Sequence, residues 1–240
     1  MLGFLSEILG RIFKFIYEYL VALGNEPSQV SYYAMALLIM AVIYKLITIP
    51  LTIQSLKQTQ KAAQLQPQME ELKKKYGYDQ NIYNQKVQEF QRENNVAGAG
   101  CSGCLMMILQ LVIVIALFAV IREPAKYLFD NPEDIDKIAR NFFWIKDMSL
   151  PDPTVLVLPL LNSLTQLLVT YLGQTASAGP NMKQQQTMMY MLPIVFFFLF
   201  MKMPAGLLLY WAFGNMIEIV VKLINKAVSA NKSGENEVVE

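Results

Sequence analysis

The chain has 240 residues, of which 54% are hydrophobic and only 16% are charged, and its formal net charge is +1. Soluble domains carry about a quarter charged residues, so this low fraction, combined with long apolar blocks, predicts an integral membrane protein. The near-zero net charge excludes the broad positive field that attracts nucleic acid. Histidine, the commonest general base and metal ligand, is absent from the sequence, so we expect neither an enzyme nor a metal or other cofactor.

Residues 1–24 are predicted to form an amphipathic helix that lies in the membrane interface. The charged residues recur at intervals of four, three and four, which places them on one helical stripe; they are Glu7, Arg11, Lys14 and Glu18. A helix of this kind lies in the interface more readily than it crosses the bilayer. The alternative is a first crossing helix with paired charges. Because the charges are spread through the apolar part, we expect no cleavable signal peptide.

Five apolar runs follow, and they predict an all-α membrane protein with a five-helix transmembrane core within residues 30–225. The runs cover residues 32–53, 104–121, 154–172, 188–201 and 205–221. A helix needs about 20 residues to cross the hydrocarbon layer. The fourth run has only 14 residues, so either its helix extends into Gln184 to Gln186 or the bilayer is thinner around it. Residues 226–240 are predicted to form a flexible cytosolic tail.

Between the first two runs, residues 55–95 form a polar segment with the periodicity of two helices. Apolar and aromatic residues recur at intervals of four and three on both sides of a turn near Gly77, at Leu65, Met69, Leu72 and Tyr76 and at Tyr83, Val87 and Phe90. The pattern predicts an antiparallel helical hairpin.

The distribution of positive charge predicts the orientation of the helices. Residues 55–103 contain seven Lys and Arg against five acidic residues, whereas residues 122–153 contain five against seven. Because cytoplasmic loops carry the excess of positive charge, we expect the hairpin and the C-terminus in the cytosol and the N-terminus outside.

Polar residues interrupt the apolar runs on common helix faces. Lys45 lies ten residues before Ser55, hence about 15 Å inside the apolar layer. The full polar set comprises Lys45, Thr48, Thr52, Gln110, Asn162, Gln166, Trp211, Asn215 and Glu218. These residues predict a water-filled groove, because intramembrane polar groups usually face a wet cavity or the bundle interior. The alternative is that they satisfy one another across helices as ordinary interhelical hydrogen bonds.

Two arrangements are open for Lys45. Lys45 and Glu218 lie at similar depths in their runs, so they could form a neutral ion pair. We expect instead a hydrated Lys45 that faces the groove. The only two cysteines, Cys101 and Cys104, would fill half of a tetrahedral zinc site, so we expect packing thiols, with a redox pair as the alternative.

Four stretches of the sequence resemble the YidC family of membrane protein insertases, which includes mitochondrial and chloroplast relatives. In chain order they are "IYKLITIPLTIQSLKQTQKAAQLQPQMEELKKKY", "GCLMMILQLVIVIALF", "FFWIKDMSLPDP" and "MMYMLPIVFFFLFMKMPAGLLLYWAFGNMIEIV". They have the family's order and spacing and cover nearly all of residues 30–225. The likeness is to the bacterial short form, without a large extracytoplasmic domain.

The resemblance implies a five-helix core around a hydrophilic groove that is open to the cytosol and to lipid. The family places a positive residue, usually arginine, at the position of Lys45 and an aromatic client contact at Trp211. A family glutamine falls at Thr170, which makes Gln166, one turn earlier, a substitute candidate. Glu218 departs from the family, which has an uncharged residue there.

The resemblance also implies the function. The chain would guide nascent hydrophobic segments into the bilayer of the bacterial cell membrane without nucleotide hydrolysis. The implied partners are nascent membrane proteins and the lipid bilayer, with the ribosome and the Sec translocon as further candidates and no small-molecule substrate. The alternative function is a small membrane transporter or channel subunit.

Two further features would serve such a function. The hairpin would recruit clients or ribosomes, or else it is a structural element. Methionines near the fourth run would offer clients an adaptable surface, or else pack against lipid; they are Met182, Met188, Met189, Met191, Met201 and Met203.

Overall fold

The computed structural model describes residues 2–96, 99–128, 138–173 and 182–237. These described residues form nine α-helices and no β-strand, which confirms the all-α fold class. The helices are α1 Leu2–Leu23, α2 Tyr32–Gln64, α3 Gln66–Tyr76, α4 Gln80–Glu93, α5 Ala99–Arg122, α6 Pro124–Leu128, α7 Val157–Gly173, α8 Met182–Phe200 and α9 Ala205–Glu237.

Each of the five predicted apolar runs coincides with a helix, namely α2, α5, α7, α8 and α9. Among the residues that the structure describes, two helical segments are long and apolar enough to cross a membrane by length and composition, Tyr32–Gln64 and Ala205–Val228. Shorter apolar helical segments cover Ile108–Arg122, Val157–Gly173 and Met189–Phe200.

Three helices continue beyond their apolar runs. α2 extends to Gln64 because residues 54–64 contain no glycine or proline that would end a helix. α8 begins at Met182 and has 19 residues, about 28 Å of helix, so it includes Gln184 to Gln186 as the first alternative predicted. α9 continues to Glu237, so most of the residues expected to form a flexible tail extend that helix.

The chain divides into two compact units. Unit 1 comprises Met1–Ile47, Leu109–Gln166 and Pro193–Glu218, and unit 2 comprises Thr48–Ile108, Leu167–Leu192 and Ile219–Glu240. The core of unit 1 is apolar, and its fully buried side chains include Phe13, Tyr33, Leu37, Leu117, Ile121, Ile145, Met148, Leu158, Phe200, Leu207 and Leu208. Because lipid tails are as apolar as these side chains, close packing rather than exclusion of water stabilises such contacts within a bilayer.

Helix α1 packs one of its faces into unit 1. The Ser6 hydroxyl donates a hydrogen bond to the Ala116 carbonyl at 3.1 Å, and the rings of Phe13 and Tyr33 lie 4.9 Å apart. The remaining faces are exposed. One is apolar and carries Phe4, Ile8, Ile12, Phe15, Tyr19 and Leu23, and another carries the predicted charged stripe. A helix with these faces suits the interface, and that location stays a prediction.

Residues 138–156, called the capping loop below, bind the first turn of α9. The Ala205 amide donates to the Leu150 carbonyl at 2.8 Å, and the Gly206 amide donates to the Met148 carbonyl at 2.9 Å. The first amides of a helix have no partner within the helix, so the loop supplies acceptors that hydrocarbon cannot.

The capping loop also binds the starts of α2 and α7. Ser31, immediately before α2, donates its backbone amide to the Asn141 carbonyl at 3.0 Å. At α7, the Leu158 amide donates to Asp152 Oδ2 at 2.8 Å. The loop therefore fixes the N-terminal ends of three helices of unit 1.

In unit 2, α3 and α4 form the predicted helical hairpin. Their shared apolar cluster buries Met69, Tyr83 and Val87, which are all positions of the predicted repeat. The Asp79 carboxylate accepts hydrogen bonds from the Asn81 and Ile82 amides at 2.8 and 3.2 Å and so caps α4. The cytosolic location of the hairpin stays a prediction.

Candidate functional site

Lys45 of α2 is paired with Glu218 of α9 inside unit 1. Lys45 Nζ lies 2.6 Å from Glu218 Oε2, and the two side chains are 10% and 22% exposed. Lys45 therefore has the alternative arrangement, the ion pair, and the expectation of a hydrated Lys45 is wrong for this structure; its contact with clients stays a prediction. A lone ammonium at this burial would bear its full desolvation cost, whereas the pair is neutral as a whole.

Gly214, which has no side chain, leaves room for the Lys45 side chain beside α9. A Cβ atom added at Gly214 would lie 3.2 Å from Lys45 Cε, so the lysine stem passes close to the backbone of α9 one turn before Glu218. The ammonium also lies 5.8 Å from the centre of the Tyr44 ring, within the range of a cation–π contact. The sequence interpretation missed Gly214, although its spacing of four from Glu218 marks the same face.

Neutral hydrogen bonds join α9 to α7. The Trp211 indole donates to Gln166 Oε1 at 3.1 Å, and Asn215 Nδ2 donates to Thr165 Oγ1 at 3.2 Å. Three of the predicted polar residues thus satisfy one another or a close neighbour across this helix pair. Thr165 was missed, although it lies three residues after Asn162 on the same face of α7.

Asn162 makes a third connection between these helices. Its Nδ2 donates to the Leu208 carbonyl of α9 at 2.9 Å and to the Leu158 carbonyl of its own helix at 3.0 Å. Among the described residues, its buried Oδ1 accepts no hydrogen bond. Buried amide groups of this kind connect membrane helices because hydrocarbon offers them no other partner.

Trp211 is also the centre of an aromatic cluster with α8. Its ring centre lies 5.6 Å from that of Phe196 and 5.1 Å from that of Phe200, both in edge-to-face geometry. With 7% of its surface exposed, Trp211 is enclosed by its neighbours in this conformation. Neither phenylalanine stands out in the sequence, because the run "FFFLF" offers no signal that distinguishes its members.

The polar residues of α9 therefore contact two neighbouring helices of unit 1. A sequence model of the 60Kd inner membrane protein family matches residues 26–232, which include all nine predicted site residues. The chain belongs to the 60Kd inner membrane protein family.

Curated relatives of this 60Kd inner membrane protein family member carry the name "Membrane protein insertase YidC". One from Fusobacterium nucleatum is 32% identical over 213 residues, which are 88% of this chain and 95% of the relative. Two others come from Francisella philomiragia, at 32% over 224 residues and 93% of this chain, and from Francisella tularensis subsp. novicida, at 33% over 219 residues and 91% of this chain. The chain spans about a third of the length of these two Francisella relatives, 36% and 35%. The family description and the bacterial relatives indicate a bacterial membrane protein.

The remaining predicted residues of this family member have less defined surroundings. Gln110 is half-buried in unit 1. In unit 2, Thr48 is buried and its carbonyl accepts a hydrogen bond from Thr52 Oγ1 at 3.1 Å. Of the methionines, Met189 and Met191 are exposed. The side chains of Met182, Met188, Cys101 and Cys104 lie outside the described part of the chain.

In unit 2 of this family member, Lys222 binds the end of α7. Its Nζ donates to the Val169 carbonyl at 2.8 Å, and a Cβ added at Gly173 would lie 2.7 Å from the same nitrogen. A cation is favourable at the C-terminal end of a helix, where carbonyls lack intrahelical partners. Lys222 follows Glu218 by four residues, so the polar face of α9 continues to it.

Proposed function

We propose that the chain is a membrane protein insertase that guides nascent hydrophobic segments into the lipid bilayer without nucleotide hydrolysis. The groove that receives them is built around Lys45 and the polar faces of α7 and α9. The names of the curated relatives support the activity. The observation that carries the groove is an ammonium in the apolar part of α2 that is paired with a carboxylate at 2.6 Å.

The chemistry of the pair suggests how a client enters. A client segment must carry a polar, often acidic, tail across hydrocarbon, where an unpaired charge costs several kcal/mol or more. A carboxylate on that tail can take the place of Glu218 beside Lys45, so that the tail is neutralised part-way across. Glu218, with 22% of its side chain exposed against 10% for Lys45, is the more exposed partner and so the one that the client's carboxylate displaces. The apolar client helix then moves sideways into lipid, its stable destination, and no nucleotide is needed.

The other polar residues would form the wall of this groove. Gln110, Asn162, Gln166, Trp211 and Asn215 supply hydrogen-bonding groups within unit 1. On a client's arrival the bonds from Trp211 to Gln166 and from Asn215 to Thr165 are exchanged for bonds to the client. Thr48 and Thr52 continue the stripe of Lys45 by sequence spacing alone. The exchange costs little free energy because interhelical hydrogen bonds in membranes are weak, about 0.6 kcal/mol each on average.

Recruitment and orientation complete the proposal. The hairpin and the C-terminus lie in the cytosol, where nascent chains emerge, and the N-terminus lies outside, as the excess of Lys and Arg in residues 55–103 supports. The ribosome and the Sec translocon are the partners that would deliver clients there.

The test is insertion of a short single-spanning client with an acidic tail into liposomes that contain only this protein. We expect insertion with the native chain and a loss of at least ten-fold with Lys45→Gln. Glu218→Gln is the matched control, since it breaks the same pair but keeps the positive charge, and it should insert the client at least as well as the native chain.

Two outcomes would contradict the proposal. Equal insertion with native protein, with Lys45→Gln and with empty liposomes would exclude the insertase activity. Equal losses in both variants would mean that the pair serves stability and that Lys45 has no role in receiving the client.

A further inference from the structure

The capping loop presents apolar side chains on its outer surface. Phe143, Trp144, Leu150, Val155 and Leu156 are 57%, 44%, 59%, 52% and 53% exposed within the described part of the chain. Soluble loops are usually polar, and large exposed apolar patches mark contacts with a partner or with a membrane.

The backbone holds two of these side chains in an unfavourable conformation. Phe143 has φ 47° and Val155 has φ 63°, in the left-handed region that glycine and asparagine adopt readily and β-branched residues rarely do. Such positions are strained and persist where surrounding contacts fix them. Here the Phe143 amide donates to the Gln29 carbonyl at 2.7 Å and the Val155 amide to the Asp152 carbonyl at 2.9 Å. Large apolar side chains are thus present where a polar or small residue would fit the backbone better.

Asp152 accepts hydrogen bonds from polar groups that lie next to these apolar side chains. Its carboxylate accepts hydrogen bonds from the Trp144 indole at 3.3 Å, from the Thr154 hydroxyl at 2.7 Å and from the Leu158 amide at 2.8 Å. Burial raises the pKa of Asp152, but the hydrogen bonds outweigh burial and hold the pKa below its ordinary value. Asp152 is only 4% exposed, so its charge is buried within the loop, where hydrogen bonds stabilise it, and the polar N–H of the Trp144 indole has a partner there.

The apolar surface continues along α7. Val157, Leu160 and Leu164 are 46%, 49% and 55% exposed, and their spacing of three and four places them on one helical face. In a membrane-spanning helix an exposed leucine face contacts lipid. Lys146, in the same loop, is also exposed, and lysine and tryptophan together are typical of the layer where headgroups meet acyl chains.

We propose that the capping loop inserts Phe143, Trp144, Leu150, Val155 and Leu156 into the interfacial layer of the bilayer. The loop is thus a membrane anchor that fixes the depth at which α2, α7 and α9 begin. A lipid partner is favoured over a protein partner because these loop residues lead directly into the exposed face of α7 formed by Val157, Leu160 and Leu164, which contacts lipid if α7 spans the bilayer as the third apolar run predicts. The anchor does not depend on the insertase activity.

Tryptophan fluorescence tests this proposal, because the chain has only two tryptophans, Trp144 and Trp211. The Trp211→Phe variant, which keeps an aromatic ring beside Phe196 and Phe200, leaves Trp144 as the single reporter. The full chain is placed in vesicles of phosphatidylcholine and phosphatidylglycerol whose acyl chains carry bromine either near the carbonyl end or near the middle. We expect shallow bromine to quench Trp144 at least two-fold more strongly than deep bromine.

The water-exposed reference is a chain with Trp144→Phe, Trp211→Phe and Tyr78→Trp, because Tyr78 in the hairpin turn is 81% exposed. Iodide in the water should quench Trp144 several-fold less than this reference. Iodide quenching equal to the reference, without quenching by brominated lipid, would overturn the proposal and assign the patch to a protein partner. If Trp211→Phe does not fold, the difference in quenching between the native chain and Trp144→Phe gives the same answer.

Discussion

Replacement of Lys45 and Glu218 by glutamine, singly and together, measures how strongly the ion pair holds α2 to α9. Each single change leaves one charge at a site where only 10% or 22% of the side chain meets the surroundings. The double change leaves two neutral amides of similar size that can still hydrogen-bond to each other. We therefore expect the double variant to be more stable than the sum of the two single effects predicts.

The magnitude follows from the geometry. With the ammonium nitrogen 2.6 Å from the carboxylate oxygen, the two charges attract by about 4 kcal/mol at an effective dielectric constant of 20, for charge centres about 4 Å apart. Removal of one partner from a buried pair costs about 3–5 kcal/mol, because the other charge stays uncompensated. We expect the lower end for Glu218→Gln and Lys45→Gln alike, since Glu218 is partly exposed, and a coupling energy of about 2–3 kcal/mol between the two changes.

Thermal unfolding of the four proteins in one detergent is the assay. For a chain of this length, about 3 kcal/mol lowers the midpoint by about 6–12 °C. A charge exchange, Lys45→Glu with Glu218→Lys, is the control, and it should recover part of the midpoint that either reversal alone loses. Additive effects of Lys45→Gln and Glu218→Gln would refute the reasoning, because they would mean that the two side chains do not stabilise one another.

Three other predictions concern stability, each measured by thermal unfolding. The hydrogen-bonded Asp152 carboxylate has a pKa below its ordinary value of 3.8. Its contribution to stability should therefore be complete above about pH 5, begin to fall near pH 3.8 and be lost only below the lower pKa of the folded state, so the difference between native protein and Asp152→Asn should shrink as the pH is lowered through that range. Gly206→Ala should cost about 1–3 kcal/mol, because its Cβ would lie 3.2 Å from the Met148 carbonyl oxygen, whereas Gly3→Ala, with nothing within 4 Å, should cost nothing. Thr165→Val should cost about 1 kcal/mol through its lost hydrogen bonds, whereas Ser163→Ala should be neutral, since the buried Ser163 hydroxyl has no partner among the described residues.

Helix positions were predictable where periodicity was strong. The apolar runs at residues 32–53 and 205–221 fall within α2 and α9, and the hairpin repeat that includes Met69 and Val87 is the buried face of α3 and α4. Helix ends were less predictable. Residues 54–64 are polar but still good helix formers, and α9 continues through residues 222–237 although these include Gly234, so the end of an apolar run is not the end of a helix.

The pairing of polar residues was the harder inference. The similar depth of Lys45 and Glu218 made an ion pair possible. Residue spacing along each helix, however, does not show which faces of two helices contact each other. Gly214 and Thr165 were missed for the same reason. The role of Gly214 is visible only in the structure, where a Cβ atom at this position would lie 3.2 Å from Lys45 Cε. The role of Thr165 likewise depends on the Asn215 amide that donates to it.

The intramembrane polar residues had two alternative roles, as the lining of a groove or as partners in interhelical hydrogen bonds, and their contacts bear on both. Asn215 and Trp211 bind α7 through neutral hydrogen bonds, and Glu218 binds α2 through the ion pair. Neutral interhelical bonds average about 0.6 kcal/mol in membranes, so separation of α7 from α9 at these two contacts costs only about 1 kcal/mol, whereas the ion pair resists by several. Under the proposed insertase function the two alternatives are therefore compatible: the hydrogen bonds that join α7 to α9 at rest are weak enough to exchange for a client, whereas Lys45 exchanges Glu218 only for another carboxylate.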